Sequence, residues 1–143
     1  MRAFEGRLQT AEHILAKTLE NTFPDAKVII AQFGEDSGRL EISTSADPRK
    51  TGKVWFEEAV NLVIKQNLSV TKRLLTREAA EKEFDLSRLP PTVKEVRVVV
   101  IDGFDKTPCK DPHVENTGEI GCFVILKLER AGKDRYRFLF KVD

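Results

Sequence analysis

KEVRVVVIDGFDKTPCKDPHVENTGEIGCFVILKLER, Lys94 to Arg130, is the stretch on which the fold turns. Its first third, KEVRVVVIDGF, is rich in β-branched residues, and Glu95 and Arg97 alternate with valines. That is the pattern of a strand with one polar and one apolar side. Its last third, IGCFVILKLER, is a second strand, in which Cys122 reads as a small buried hydrophobe. Between them lies a run of proline and short polar residues that holds a cysteine and a histidine four positions apart. Two strands separated by such a run describe either a connector or a site.

Working outward, DRYRFLFKV is a further strand, joined to the previous one through Ala131-Gly132-Lys133-Asp134. On the other side, Leu89-Pro90-Pro91 breaks the chain. Before it, Thr76 caps a short helix and LSVTKRLL is extended. A helix is expected from about Lys50 to Asn67 after Asp47-Pro48, with Val54, Ala59, Leu62 and Val63 inward. AKVIIAQFG and GRLEISTS form a β-hairpin around Glu35-Asp36-Ser37-Gly38. Gln9 to Phe23 is an amphipathic helix ended by Pro24, with Leu8, Ala11, Ile14, Leu15 and Leu19 at helical spacing. The sum is an α+β fold of one domain over residues 1–143, with a mostly antiparallel sheet and helices packed on one side.

Composition narrows the function. A chain of 143 residues with 41% hydrophobic and 33% charged residues is globular, and its net charge of +1 argues against broad, field-driven duplex binding. No DNA partner and no membrane partner are expected. No apolar run reaches the ~20 residues of a membrane span and the N-terminus has no secretory pattern, so the cytoplasm is the expected location. In that reducing setting the two cysteines, Cys109 and Cys122, are not expected to pair.

The metal-capable side chains concentrate in two places. The only two histidines are His13, on the first helix, and His113, on the loop with Cys109. Gln9 stands one turn before His13, on the same helical face. Two imidazoles and a thiolate form a ligand set for zinc with one open position, which is the arrangement of a catalytic site. On spacing alone, a metal site and a chance C-x-x-x-H stand about level.

The pair QTAEH, Gln9 to His13, and CKDPHVENTGEIG, Cys109 to Gly121, resembles the editing domain of alanyl-tRNA synthetase and its freestanding AlaX relatives. In that family an H-x-x-x-H helix pairs with a C-x-x-x-H loop followed by T-G-E-I-G. The chain is similar also to the threonyl-tRNA synthetase editing domain, although TGEIG points to the alanyl branch. The order and separation of the motifs look like the short AlaX form over essentially the whole chain.

This resemblance implies an ATP-independent, zinc-dependent hydrolase that serves translation fidelity. It would remove serine or glycine from mischarged alanine tRNA, acting at the aminoacyl adenosine of the 3′ end. It implies His13, Cys109 and His113 as zinc ligands. Gln9 stands where the family has its first histidine, so weaker metal binding is expected, because zinc prefers nitrogen and sulfur to an amide oxygen. Gln32, Thr117 and Gly118 are implied near the substrate and are the catalytic candidates, with backbone N–H groups at Thr117-Gly118 as donors to a developing oxyanion. Glu12 replaces a threonine that several members use to select serine; it either edges the pocket or is a solvated helix charge. Arg49, Lys50, Lys53, Lys72, Arg73 and Arg77 are candidate contacts for a weak, salt-sensitive tRNA complex, and Lys110 is a further candidate for a phosphate. Two alternatives stand beside this: a metal-free RNA-binding relic, and a zinc hydrolase of another small acyl ester. Homodimerisation is left open.

Overall fold

The computed structural model describes residues 6–87 and 89–143. Helix α1 covers Arg7–Thr22 and begins at Gly6, whose φ of 93° only glycine adopts readily. Its apolar residues Leu8, Ala11, Ile14, Leu15 and Leu19 are buried, as the helical spacing requires. Strands β1 (Lys27–Phe33) and β2 (Ser37–Ser43) pair as the expected antiparallel hairpin.

The single helix expected from Lys50 to Asn67 is two. A one-turn α2 (Pro48–Thr51) is capped by Asp47, which accepts a hydrogen bond from Arg49 N. The backbone turns at Gly52 with φ 94°, and α3 (Lys53–Lys65) starts afresh. The inward face also differs. Val63 is buried as expected, but Val54 and Leu62 are 57% and 64% exposed, and Phe56, Val60 and Ile64 are buried instead. Apolar residues occur on most sides of α3, so periodicity alone does not choose a face. Phe56 chooses it, by packing edge-on against Phe138 at 5.7 Å and near Phe23 at 6.0 Å.

Strand β3 (Val70–Thr76) leads into the short α4 (Arg77–Glu81), where Thr76 accepts from Ala79 N as its cap. Strand β4 (Glu95–Ile101) follows. The chain then folds back at once as β5 (Asp105–Pro108), a strand that lay hidden in the polar run. A 3₁₀ turn (Thr117–Ile120), β6 (Phe123–Gly132) and β7 (Arg135–Val142) complete the order.

All pairings are antiparallel, and the α+β class holds, but the strands divide into two sheets: β1-β2-β7-β6 and β3-β4-β5. The reason lies in β5, which pairs with β4 from Val98 to Ile101 and occupies the edge that β6 would otherwise need. The main core lies between the four-stranded sheet and the helices α1 and α3, around Phe56, Phe123, Phe138 and Phe140. Side chains of α3 also close the open edge of β6. Asn61 accepts from Phe123 N and donates to Phe123 O, both at 2.9 Å, and Glu57 accepts from Ile125 N. Cys122, just before β6, is exposed, contrary to its expected burial. The apolar run around it begins its inward alternation only at Phe123. No helix among the described residues is long and apolar enough to cross a membrane.

Candidate metal centre

Helix α1 carries an unusual patch for its position. Thr10, Glu12 and His13 are all buried there, although each is polar. Beside them comes the loop that leaves β5. Cys109 N donates to Arg97 O, the last backbone bond tying this strand to β4. The Arg97 guanidinium then reaches along the loop and donates to the carbonyls of Cys109, Lys110 and Asp111. One side chain in a valine-rich strand thus fixes three consecutive carbonyls of the C-x-x-x-H segment.

At the far end of that segment His113 meets α1 in two ways. Thr10 Oγ1 lies 3.0 Å from His113 Nδ1 and accepts from Val114 N at 3.1 Å. Gly6 packs directly on the His113 backbone: a Cβ at Gly6 would stand 2.6 to 2.8 Å from His113 C, Cα and N. The start of α1 and the loop are therefore in contact through a missing side chain.

These contacts bring His13, Cys109 and His113 together, with their ligand-capable atoms within 4.8 Å of one another. The two imidazole rings meet edge to face at 4.6 Å. They are 6% and 8% exposed, and His13 Nδ1 and His113 Nε2 are buried with no hydrogen-bond partner. Buried polar atoms are nearly always satisfied, so two orphans beside a thiol are an anomaly that a cation would remove. Two nitrogens and a sulfur fit zinc in particular.

The electrostatics agree. Burial holds both imidazoles neutral, with His113 pushed down to about 3 by desolvation, by His13 and by the cations Lys72 and Arg97. Neutral imidazole is the form that ligates metal. Burial also pushes the Cys109 thiol up, so without a cation it is no thiolate nucleophile. Three carboxylates surround the cluster. Glu12 Oε1 is 4.0 Å from His13 Nε2, Asp105 Oδ2 is 3.9 Å from His13 Nδ1, and Asp111 Oδ2 is 3.8 Å from Cys109 Sγ. Desolvation, then Asp105 and Asp111, raise Glu12 to about 8. A buried Glu12 carboxyl beside the carboxyl groups of Asp105 and Asp111 favours a positive guest.

The other candidates from the sequence fall elsewhere or serve differently. Gln9 is half-buried one turn before His13 on α1. Glu12 is buried against the cluster, so of its two readings the solvated charge is excluded. Gln32 stands on β1, at the edge of the four-stranded sheet, where it accepts a hydrogen bond from Arg39. The shallow cavity beside it is lined by Phe33, Gly34, Ser37, Gly38, Arg39 and Leu139, none of them from the cluster. Thr117 N donates to Leu68 O and Gly118 N to Asn67 Oδ1. Neither N–H is free to meet an oxyanion in this geometry; both tie the loop to the end of α3. Arg49 and Arg77 are held by Asp47 and Glu81.

Thr10, Arg97, Gly6 and Asp105 are the residues that sequence reasoning missed. A signal existed for two of them: Thr10 lies inside QTAEH, and Arg97 interrupts a valine-rich strand.

Comparison with known proteins places this arrangement. Residues 96–138 match the family described as threonyl and alanyl tRNA synthetase second additional domain. That span includes Cys109 and His113 but not His13. Over 95% of its length the chain is 34% identical to the alanyl-tRNA editing protein AlaX-M of Methanosarcina mazei, and over 94% it is 35% identical to that of Methanosarcina acetivorans. It spans 55% and 56% of those two proteins, little more than half their length. The alanine–tRNA ligase of Borrelia garinii subsp. bavariensis is 34% identical over 85% of the chain, which covers 21% of that enzyme. Both motif segments and the elements that carry them lie within a similarity of this extent, and the chain is related to alanyl-tRNA editing proteins and to the second additional domain of threonyl and alanyl tRNA synthetases.

Proposed function

We propose that the protein is a zinc-dependent hydrolase that deacylates mischarged alanine tRNA, releasing serine or glycine. One observation carries the reading: ligand atoms of His13, Cys109 and His113 converge within 4.8 Å, and each imidazole holds one buried nitrogen without a partner. The names of the relatives, alanyl-tRNA editing proteins, supply the substrate class. His13, Cys109 and His113 would hold the ion, leaving a position open to substrate or water. Zinc, when bound there, supplies a Lewis acid that polarises an ester carbonyl and lowers the pKa of water.

The chain's own groups suit the rest of the reaction. Deacylation adds water across the ester and returns the free amino acid and the ribose hydroxyl. Asp105 and Asp111, joined by Glu12 once a bound cation expels its proton, would give the surroundings of the cluster the negative character that an α-ammonium group requires. Lys72, exposed on β3, lies close enough to depress the pKa of His113, and a phosphate of the tRNA end would sit well beside it. Arg97 and Thr10 hold the loop in place around these groups.

The test is elemental analysis of protein purified without chelator, beside Cys109→Ala, followed by deacylation of serine-charged alanine tRNA. About one zinc per chain, lost in the variant, with turnover of the charged tRNA, is the expected result. Failure to take up added zinc would overturn the metal reading. Zinc with hydrolysis of small acyl esters but not of charged tRNA would overturn the substrate.

A further inference from the structure

We propose that Thr10 is a positioning residue for His113: its hydroxyl accepts the Nδ1–H of the ring, which fixes the imidazole and leaves Nε2 to face the cation. The inference rests on the metal reading above and concerns how one ligand is prepared for it.

Thr10 is fully buried one turn after Gly6, so its hydroxyl has no access to solvent. A hydroxyl offers two acceptor lone pairs and one proton. Val114 N uses one lone pair at 3.1 Å, and His113 Nδ1 lies 3.0 Å from the same oxygen. The opposite nitrogen, Nε2, is the one buried without a partner. A neutral imidazole that ligates metal through Nε2 must carry its proton on Nδ1, and such protons are regularly given to an oxygen outside the ligand shell. Thr10 is that oxygen here. The backbone of His113 reaches it only because Gly6 has no side chain.

His13 is prepared differently. Its Nδ1 stands 3.9 Å from Asp105 Oδ2, beyond hydrogen-bonding distance, and that carboxylate oxygen already accepts from the Thr107 hydroxyl at 2.7 Å. His113 is thus the ligand held in advance. The simpler role for Thr10 is a clamp on Val114 N alone, and the two roles give different results.

The experiment compares wild type, Thr10→Val and Thr10→Ser. It uses nitrogen-15 NMR of His113 with and without zinc, zinc affinity by competition with a chromogenic chelator, and thermal unfolding of the metal-free proteins. The wild type is expected to show the Nδ1–H tautomer in both states. Thr10→Val is expected to lose about 10- to 100-fold in zinc affinity and to mix the tautomers, with Thr10→Ser restoring both. An Nε2–H tautomer in the wild type would overturn the proposal without any variant, so it stays decidable if Thr10→Val does not fold. Unchanged tautomer and affinity in a folded Thr10→Val would also overturn it, leaving only the clamp. If the wild type binds no zinc, the metal reading fails separately, and the tautomers of the metal-free proteins still decide the role of Thr10.

Discussion

Cys109–His113 and Thr117–Gly121 share one connection between β5 and β6, yet they follow opposite rules. In the first, ligand-type atoms converge with little to hold them: a thiol in a long 3.8 Å contact with the Asp111 carboxylate, beside an imidazole nitrogen with no partner. In the second, hydrogen bonds tie the segment to its neighbours. Asn116 and Glu119 form a reciprocal capping box. Thr117 Oγ1 accepts from Leu68 N at 2.8 Å and sits near the carbonyls of Val63 and Ile64 at the end of α3. Gly118 N meets Asn67 Oδ1, which lies where a Cβ would stand. Unmet valence marks the chemical half and hydrogen bonding marks the scaffold half. TGEIG, which carries much of the resemblance, builds the connection, and this geometry gives it no reacting atom.

The sharpest break between the halves comes from removing one group in each. Cys109→Ala or His113→Ala is expected to abolish zinc uptake and to lower deacylation by a factor on the order of 100 or more, in line with loss of a metal's catalytic contribution. Metal-free stability should change least in Cys109→Ala, which gives up only a long contact of a half-buried thiol with Asp111, whereas His113→Ala also loses the Thr10 hydrogen bond. Thr117→Val should do the reverse. It strands Leu68 N inside the protein, which costs about 1–3 kcal/mol, while zinc content per folded molecule stays at the wild-type level. Denaturant midpoints measured beside zinc content check both. A folded Thr117→Val without zinc would erase the distinction.

Glycines extend the contrast at a smaller scale. Gly6 combines a φ of 93° with a Cβ position 2.6 Å from His113 backbone, and backbone cannot step aside. Gly6→Ala should therefore cost about 2 kcal/mol or more and weaken zinc binding, since the loop must shift. Gly118→Ala meets only the end of the Asn67 side chain, which can rotate away. Its cost should be about 1 kcal/mol, the value of one lost hydrogen bond, with zinc affinity unchanged. Paired unfolding curves and chelator titrations separate the two.

The same contrast explains what the sequence revealed. Strands with alternation were legible: β7 shows period-two burial over Tyr136, Phe138 and Phe140, and β4 begins so over Val96 and Val98 before Val99, also buried, breaks the period. Helix α1 was legible because its apolar residues keep to one spacing and Pro24 ends it. Helix α3 was not, because its apolar residues point in most directions and Phe56 settles the face through tertiary packing. β5 escaped because Asp105-Lys106-Thr107-Pro108 has weak strand propensity and is held by pairing with β4. At the site, the three metal-type side chains were legible by residue type. Their supports were not, since Thr10, Arg97 and Gly6 act through distances that only the folded chain defines. Gln32 and the Thr117–Gly118 pair came from resemblance alone, and nothing local in the sequence separated scaffold from site.

The finest comparison is in protons. In the metal-free protein Glu12 keeps a proton that the unfolded chain releases above 4.5, because burial has raised it to about 8. Its contribution to stability therefore falls as pH rises through that window. His113 runs the other way: lowered from 6.5 to about 3, it stays neutral where the unfolded chain takes up a proton, so its contribution is lost as pH falls through that range. Zinc turns these opposed signs into a count. At pH 7 both histidines are already neutral and release nothing, whereas the raised Cys109 thiol must lose its proton to ligate. Glu12 Oε1 is 4.0 Å from His13 Nε2, close enough for a cation held by that ring to expel the carboxyl proton. Calorimetric titrations with zinc in buffers of different ionisation enthalpy should therefore report about two protons released at pH 7 by the wild type, and about one by Glu12→Gln. In the wild type the number should fall toward one as pH passes 8, where Glu12 is already ionised. Equal release by the two proteins at pH 7 would mean that Glu12 does not face the cation, and would leave the recognition of a substrate ammonium to Asp105 and Asp111.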